Sequence, residues 1–355
     1  MSIQFFLTAW DPSDLPGSSV DPLGFDRAYG ALADLWLPGL TNVANRPRYF
    51  AILCAGAVLA DVSAAQTPRE ERMARLETIL RLERLWCLAH ALVENAEGIR
   101  GVRYVEAQAA RLKAKEATET TLDFPVLSHQ GRYGVVGIYG AVATGLRLME
   151  PGTLRPTPDL GARLGNVFRK HSKMPAAVLE GARHGTKVPL RALSDWMARG
   201  HIAGDVDDDE AACYREALSL HPLRARATEV LRELPARDDE SELAHLARVA
   251  RKLRASGRDP DLGDALEAIA ALEDGYRLLL LVFERLVWRC ATATQGALLP
   301  ADLAVDPVII EAGAATRAVR DRFTRALDAP ATPHLATAMA RLASSHPKST
   351  VMAKY

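Results

Sequence analysis

No stretch of the chain is apolar for long enough to cross a bilayer: runs such as Leu278 to Phe283 fall far short of the roughly 20 residues a membrane helix needs. Cysteine is scarce as well. Cys54, Cys87, Cys213 and Cys290 stand singly, which excludes a C-x-x-C metal knuckle and a dense disulfide framework, so all four are expected to be reduced core residues. The N-terminal Met1-Ser2-Ile3-Gln4-Phe5-Phe6-Leu7 lacks the basic region and small-residue cleavage site of a secretory signal. A cytoplasmic protein is expected, with no membrane contact, no metal and no cofactor. Net charge is also absent, with 44 Lys and Arg against 44 Asp and Glu. No internal repeat of fixed period occurs, and strands do not alternate with helices as an α/β fold would require.

What is present is helical patterning. With 355 residues, 48% hydrophobic and 25% charged, the chain has room for two domains that bury cores without metal or disulfide staples. The reading is all-α (mainly α). It comprises an N-terminal helical domain over 1–125, a basic segment over 126–204 with helix-turn-helix or winged-helix-like character, and a C-terminal helical bundle over 205–355. After an irregular, turn-rich lead-in with room for one short strand, helices are expected at about Gly24 to Trp36 and Pro47 to Val62. Thr67-Pro68-Arg69-Glu70 is a capping box, and it opens a long surface helix. That helix sets Met73, Leu76, Ile79, Leu80, Trp86 and Val93 on one buried stripe, with Glu71 to Arg75 and Glu77 to Arg81 as i,i+4 pairs.

Further helices are expected from about Tyr104 to Lys115, Gly131 to Met149, Thr157 to Lys170, Pro175 to Arg183, Pro189 to Arg199 and Asp207 to Leu220. Gly134, Gly137, Gly140 and Gly145 leave bare helix surface for another backbone to approach. From Leu223 onward the pattern is helical throughout, ending with helices at about Pro307 to Leu327 and Pro333 to Ser345. Leu262, Leu266, Ile269, Tyr276, Leu280, Phe283, Val287 and Cys290 recur at alternating steps of three and four, broken only at Glu273. This is either the spine of a bundle or a helix-pairing surface.

The zero net charge hides a division. Between Gly101 and Gly200 there are 15 Lys and Arg against 8 Asp and Glu. Arg163, Arg169, Lys170, Lys173, Arg183 and Lys187, with Arg191 and Arg199, face only Glu180 and Asp195 in the sequence from Gly161 to Gly200. A phosphate backbone is held by such cations, because neutralising it releases counterions. The Gly131 helix, the Pro151-Gly152 turn and the Thr157 helix have the order of a helix-turn-helix. The competing reading is a solvated helix face, or cations that pair with the Asp207 cluster. A second candidate is the loop Asn42-Val43-Ala44-Asn45-Arg46-Pro47-Arg48-Tyr49. There Asn45, Arg46, Arg48 and Tyr49 offer donors to a phosphate, a base edge or a carboxylate, while the plainer alternative is a capped helix connection.

Three motifs carry less. Arg341-Leu342-Ala343-Ser344-Ser345-His346 has the R-x4-H spacing of HEPN-type helical ribonucleases, a spacing that chance also supplies, as in Arg84 to His90. Gly181-Ala182-Arg183-His184-Gly185-Thr186-Lys187 is a near miss to a phosphate-binding loop and reads as a turn. Asp207-Asp208-Asp209-Glu210 fans around a helix start and reads as capping.

Leu37-Pro38-Gly39-Leu40-Thr41, Arg46-Pro47-Arg48-Tyr49-Phe50, Ser128-His129-Gln130-Gly131 to Tyr139, and Thr157 to Phe168 together resemble an uncharacterised bacterial family. That family is associated with mobile or phage-defence gene neighbourhoods. The resemblance covers the first half of the chain and implies a setting of DNA surveillance, with no catalytic residues. The leading expectation is therefore a nucleic-acid-binding accessory component, for DNA in preference to RNA, acting with a protein partner and without catalysis of its own. The alternative is a helical scaffold that docks a protein through the helix at 262–290. A helical ribonuclease using His346 is the third.

Overall fold

Pro47 at a first helical position, followed by an almost unbroken apolar run, produces a helix with no solvent face. In the computed structural model, which describes residues 25–41, 43–292 and 305–327, this is α2, Pro47–Leu59. Every residue of α2 from Arg48 to Ala57 is buried. The chain divides into two compact units: Pro38–Ala225, and Arg226–Tyr355 joined by Met1–Leu37.

In the Pro38–Ala225 unit, α2 packs on α3 (Pro68–Leu92), α6 (Val135–Gly145), α7 (Gly161–His171) and α8 (Ala176–His184). The capping box that opens α3 is present: Thr67 Oγ1 accepts from the Glu70 N–H, and Glu70 accepts from the Thr67 N–H. Helix α3 is also contacted by α4 (Val102–Ala114) and by α9 (Leu190–Gly200). It is a central helix and not the surface helix expected: Leu85 to Ala91 is buried without a break, while Met73 and Val93, assigned to its buried stripe, are exposed. Trp86 donates to the Gly200 carbonyl at 2.7 Å, and Tyr49 sits edge-on to Trp86 and stacks on Tyr139.

Glycine permits a close approach of α7 to α2. A Cβ at Gly165 of α7 would lie 2.8 Å from the backbone of Cys54, so any larger residue would push α7 off α2. Helices α6 and α7 each pack mainly on α2, and no comparably close packing joins them to each other, so a helix-turn-helix is not shown. The helix expected from Gly131 to Met149 is interrupted. A short turn α5 (Gln130–Tyr133) precedes α6, because Gly134 is extended and the Val135 N–H is taken by the Glu83 carboxylate at 2.6 Å. The segment between α4 and α5 contributes β1 (Glu119–Thr120), antiparallel to β2 (Val188–Pro189). One core runs from Ala44 to Ala217 and takes in the segment 126–204 and α10 (Asp208–Ser219), so contacts do not divide the chain at 125 or 204.

The second unit contains α1 (Phe25–Trp36), α12 (Glu242–Ser256), α13 (Pro260–Thr292) and α14 (Pro307–Leu327); α11 (Pro222–Glu233) runs across the boundary. Helices α12, α14 and α1 pack on α13, with Leu32 and Ala268 fully buried between α1 and α13. Carboxylates on this spine are paired: Asp264 with Arg254 at 3.1 Å, Glu267 and Asp274 with Arg322 at 2.8 and 2.7 Å. Among the described residues the fold is mainly helical, and no helix is long and apolar enough to cross a membrane. The lead-in before Phe25, the expected Pro333 to Ser345 helix and the Arg341 to His346 spacing lie outside the described residues. Cys54, Cys87 and Cys213 are buried as expected, whereas Cys290 is exposed.

Candidate interaction surfaces

The basic stretch of the larger unit is mostly committed to the fold. Arg163 forms an ion pair with Glu216 and donates through Nε to Cys213 Sγ at 3.3 Å, tying α7 to α10. Arg183 donates to the Leu59 carbonyl at 3.1 Å and lies 3.8 Å from Glu180. With Arg75, which reaches the Ala57 carbonyl at 2.5 Å, it satisfies the orphan carbonyls at the end of α2. Lys187 pairs with Glu119 at 2.6 Å across the β1–β2 ladder, Arg191 with Asp195 at 3.7 Å, and His171 with Asp207. Four of the eight cations remain: Arg199, exposed in the last turn of α9, and three at the end of α7. Arg169, Lys170 and Lys173, at the C-terminal end of α7, make no side-chain hydrogen bond or ion pair among the described residues. Arg169 and Lys170 lie in the last turn of α7, where the negative end of the helix dipole favours a cation.

The second candidate separates into exposed and buried halves. Asn45 and Arg46 are exposed, but Arg48 and Tyr49 are buried, which removes both from any nucleic-acid surface. Arg48 Nη1 donates to the carbonyls of Arg199 and His201 at 2.9 and 3.3 Å, and Nη2 donates to that of Asp205 at 2.5 Å. Its Nε lies 3.1 Å from Glu210 Oε1, and its guanidinium lies over the Phe168 ring. Glu210 also accepts from the Tyr214 hydroxyl at 3.0 Å, and burial holds its carboxyl above the usual range. Asp207 caps α10 as the sequence implies, accepting from the Asp209 N–H, but Glu210 has turned inward to serve as a counter-ion. Tyr49 accepts from the Arg100 N–H at 2.7 Å.

Beside the Arg48–Glu210 pair lies a cleft of about 340 Å³ lined by Arg48, His171, Ser172, Arg199, Asp207 and Glu210. Its charges are mixed, and most are paired with one another. Among the described residues no group of His, Cys, Asp and Glu is arranged to hold a metal ion. The spacing from Arg84 to His90 does not form a nuclease pair either. Arg84 donates to Gln130 at 2.9 Å, while His90 is fully buried, hydrogen-bonded to the Trp86 carbonyl and accepting from the Ile202 N–H.

Two titratable groups of this core are displaced from their ordinary ranges. Burial raises the Glu83 carboxyl to about 7, against the opposing effect of hydrogen bonds from Gln130 and Val135. Burial likewise lowers the His90 imidazole to about 4, so it stays neutral.

The C-terminal half of α13 presents a different surface. The heptad steps read from the sequence begin covered, at Leu262, and turn outward beyond Glu273. Tyr276, Leu280, Phe283, Val287 and Cys290 are all exposed, Phe283 by 62%. Leu278, Leu279, Val282 and Leu286 are half-buried on one side of α13, and α14 packs on this helix. At 100° per residue the exposed stripe is turned roughly 120° from that side. From Tyr276 to Thr292 no residue is buried, although the stretch is mostly apolar, with Arg277, Glu284, Arg285 and Arg289 as its charged residues. Leu281 and Trp288 are exposed on the remaining side, where Arg285 lies 4.4 Å over the Trp288 ring.

Comparison with family models, with curated proteins and with solved structures yields no match.

Proposed function

We propose that this protein is a helical scaffold that docks another helix along Leu280, Phe283, Val287 and Cys290 of α13. One observation carries the reading: among the described residues, the large apolar side chains Leu280, Leu281, Phe283, Val287 and Trp288 of one half-helix are all exposed. Helices of that composition are normally enclosed, and an exposed apolar patch of this kind marks an association surface in soluble proteins. Each large aliphatic or aromatic side chain taken from exposed to buried contributes about 1.5–3 kcal/mol, so an open seam is costly to maintain without a partner. Aromatic residues at its centre are the usual anchors of such contacts.

The test is a photo-crosslinking amino acid at position 280. Illumination in the producing cells is expected to yield one adduct of defined mass, lost in a Phe283→Glu variant whose thermal unfolding is unchanged. If no adduct forms, the scaffold reading is wrong.

Nucleic-acid binding is the second reading, and it is supported by Arg169, Lys170 and Lys173. Three phosphate contacts correspond to a log–log salt slope of about −3, and charge reversal of all three residues to Glu is expected to abolish a gel shift at low salt. A triple variant that binds DNA and RNA as well as the parent eliminates this site.

A further inference from the structure

We infer that the cleft beside the first turns of α3 is a binding site for a small ligand bearing a di- or triphosphate chain. It belongs to the Pro38–Ala225 unit and is independent of the α13 seam. The cleft has a volume of about 350 Å³, and its lining includes Arg69, Glu71, Arg72 and Arg75 of α3 together with Leu154 and Arg155 of a facing loop. Small-ligand sites occupy roughly 300–1,000 Å³. Four guanidinium groups border this cavity against one carboxylate, which leaves a surplus of three positive charges.

Two of the arginines are fixed and two are free. Glu71 Oε1 accepts from Arg75 Nε at 3.0 Å and from Arg155 Nε at 2.7 Å, and its Oε2 accepts from Arg155 Nη2. Hydrogen bonds from Arg155 and then Arg75 hold the Glu71 carboxyl at about 2, so it stays ionised and keeps both arginines in place. The loop that carries Arg155 is closed on itself. There the Glu150 N–H donates to the Arg155 carbonyl at 2.9 Å, the Thr153 hydroxyl donates to the Glu150 carbonyl at 3.2 Å, and Gly152 supplies a left-handed turn. Arg69 and Arg72, by contrast, are exposed and make no side-chain hydrogen bond or ion pair among the described residues. Glu70 does not neutralise them, because it accepts from the Gln66 and Thr67 N–H groups, and Glu150, whose charge reaches Arg155, does not line the cavity.

A phosphate chain matches this arrangement better than a lone carboxylate does. A guanidinium fork meets phosphate oxygens two at a time, and a surplus of three charges calls for more than one negative charge in return. Arg69 and Arg72 are neighbours at i,i+3 on the helix surface, so they can hold successive phosphates of one chain. The positive end of the α3 dipole favours an anion at the same place. Buried Leu154 and the aliphatic arms of the arginines offer an apolar wall to the remainder of the ligand.

Calorimetric titration of the full chain at low salt tests the site, with sodium pyrophosphate as the probe and citrate as a carboxylate-based anion for comparison. One saturable pyrophosphate site per chain is expected, weakened about tenfold or more in an Arg69→Gln, Arg72→Gln double variant. That variant is expected to unfold at the parent's temperature, since neither side chain is bonded in the fold. An Arg169→Gln, Lys170→Gln variant is expected to bind as the parent does. A parent without saturable binding, or a double variant at position 69 and 72 that binds as well as the parent, overturns the site. Equal weakening in both variants overturns it too, because overall charge would then account for the binding. Citrate held as tightly as pyrophosphate overturns the phosphate assignment. A single-stranded oligonucleotide that displaces pyrophosphate at equal concentration overturns the small ligand in favour of a nucleic-acid strand.

Discussion

Replacing Arg48 with alanine is expected to destabilise the Pro38–Ala225 unit by about 3–5 kcal/mol, the usual cost of leaving one member of a buried ion pair uncompensated. Glu210, 1% exposed, would lose its counter-ion, and the carbonyls of Arg199, His201 and Asp205 would lose their donors together. These carbonyls terminate α9 and carry the chain toward α10, so the loss reaches the contact of α10 with α7 as well. Urea unfolding followed by the fluorescence of Trp86 and Trp196 measures it. A double Arg48→Met, Glu210→Gln variant is expected to regain a large part, since methionine fills the space and the amide needs no counter-charge. A loss under about 1 kcal/mol in the alanine variant would mean that Arg48 is a surface residue after all.

Glu83→Gln is expected to change how stability depends on pH. The folded-state value of Glu83, about 7, lies above its unfolded value. The folded protein therefore holds this proton more tightly, and the associated stability is present at low pH and lost as pH rises through about 7. For His90 the sign is opposite. Its folded value, about 4, lies below the unfolded one, so stability is present above about 6.5 and lost as pH falls through 4. Each effect amounts to roughly 3 kcal/mol over its full window.

Between the unfolded values of the two groups the slopes oppose, and the parent is expected to show little net dependence from them. In the Gln variant the His90 slope stands alone, and stability climbs toward pH 6.5 before levelling. Urea midpoints of both proteins at several pH values between 4 and 8.5 provide the comparison, since all other titrations are common to the two. Parallel curves would show that Glu83 is ionised throughout, whatever its burial.

Local chemistry was readable without the fold. The capping box at Thr67, the i,i+4 pairs from Glu71 and Glu77, the first-turn prolines of α2 and α14 and the aspartate cap of α10 all act within one or two turns, and all are where the sequence puts them. Arg48 shows where that legibility stops. Nothing in Arg46-Pro47-Arg48-Tyr49 distinguishes the exposed guanidinium from the buried one, because the partners of Arg48 lie about 150 residues further along the chain. The surplus of cations between Gly101 and Gly200 is similarly real as a count. Its dispersal among Glu216, Glu119, Glu180 and backbone carbonyls depends on which helices become neighbours.

Periodicity met the same boundary in α3 and α13. A 3.6-residue stripe describes a helix with one wet side, and it misassigned Met73 and Val93 in α3, which neighbours surround, with Thr78, Glu83 and His90 taken inside instead. In α13 the heptad was legible in full, but its exposure past Glu273 was not. Which residues become helical, and where helices start, depends on short-range hydrogen bonding and rotamer preference encoded in neighbouring residues. Which charges are neutralised, which carboxylate keeps its proton and which apolar seam is left open depend on the packing of segments far apart in the chain, because burial and Coulomb interaction are properties of that packing.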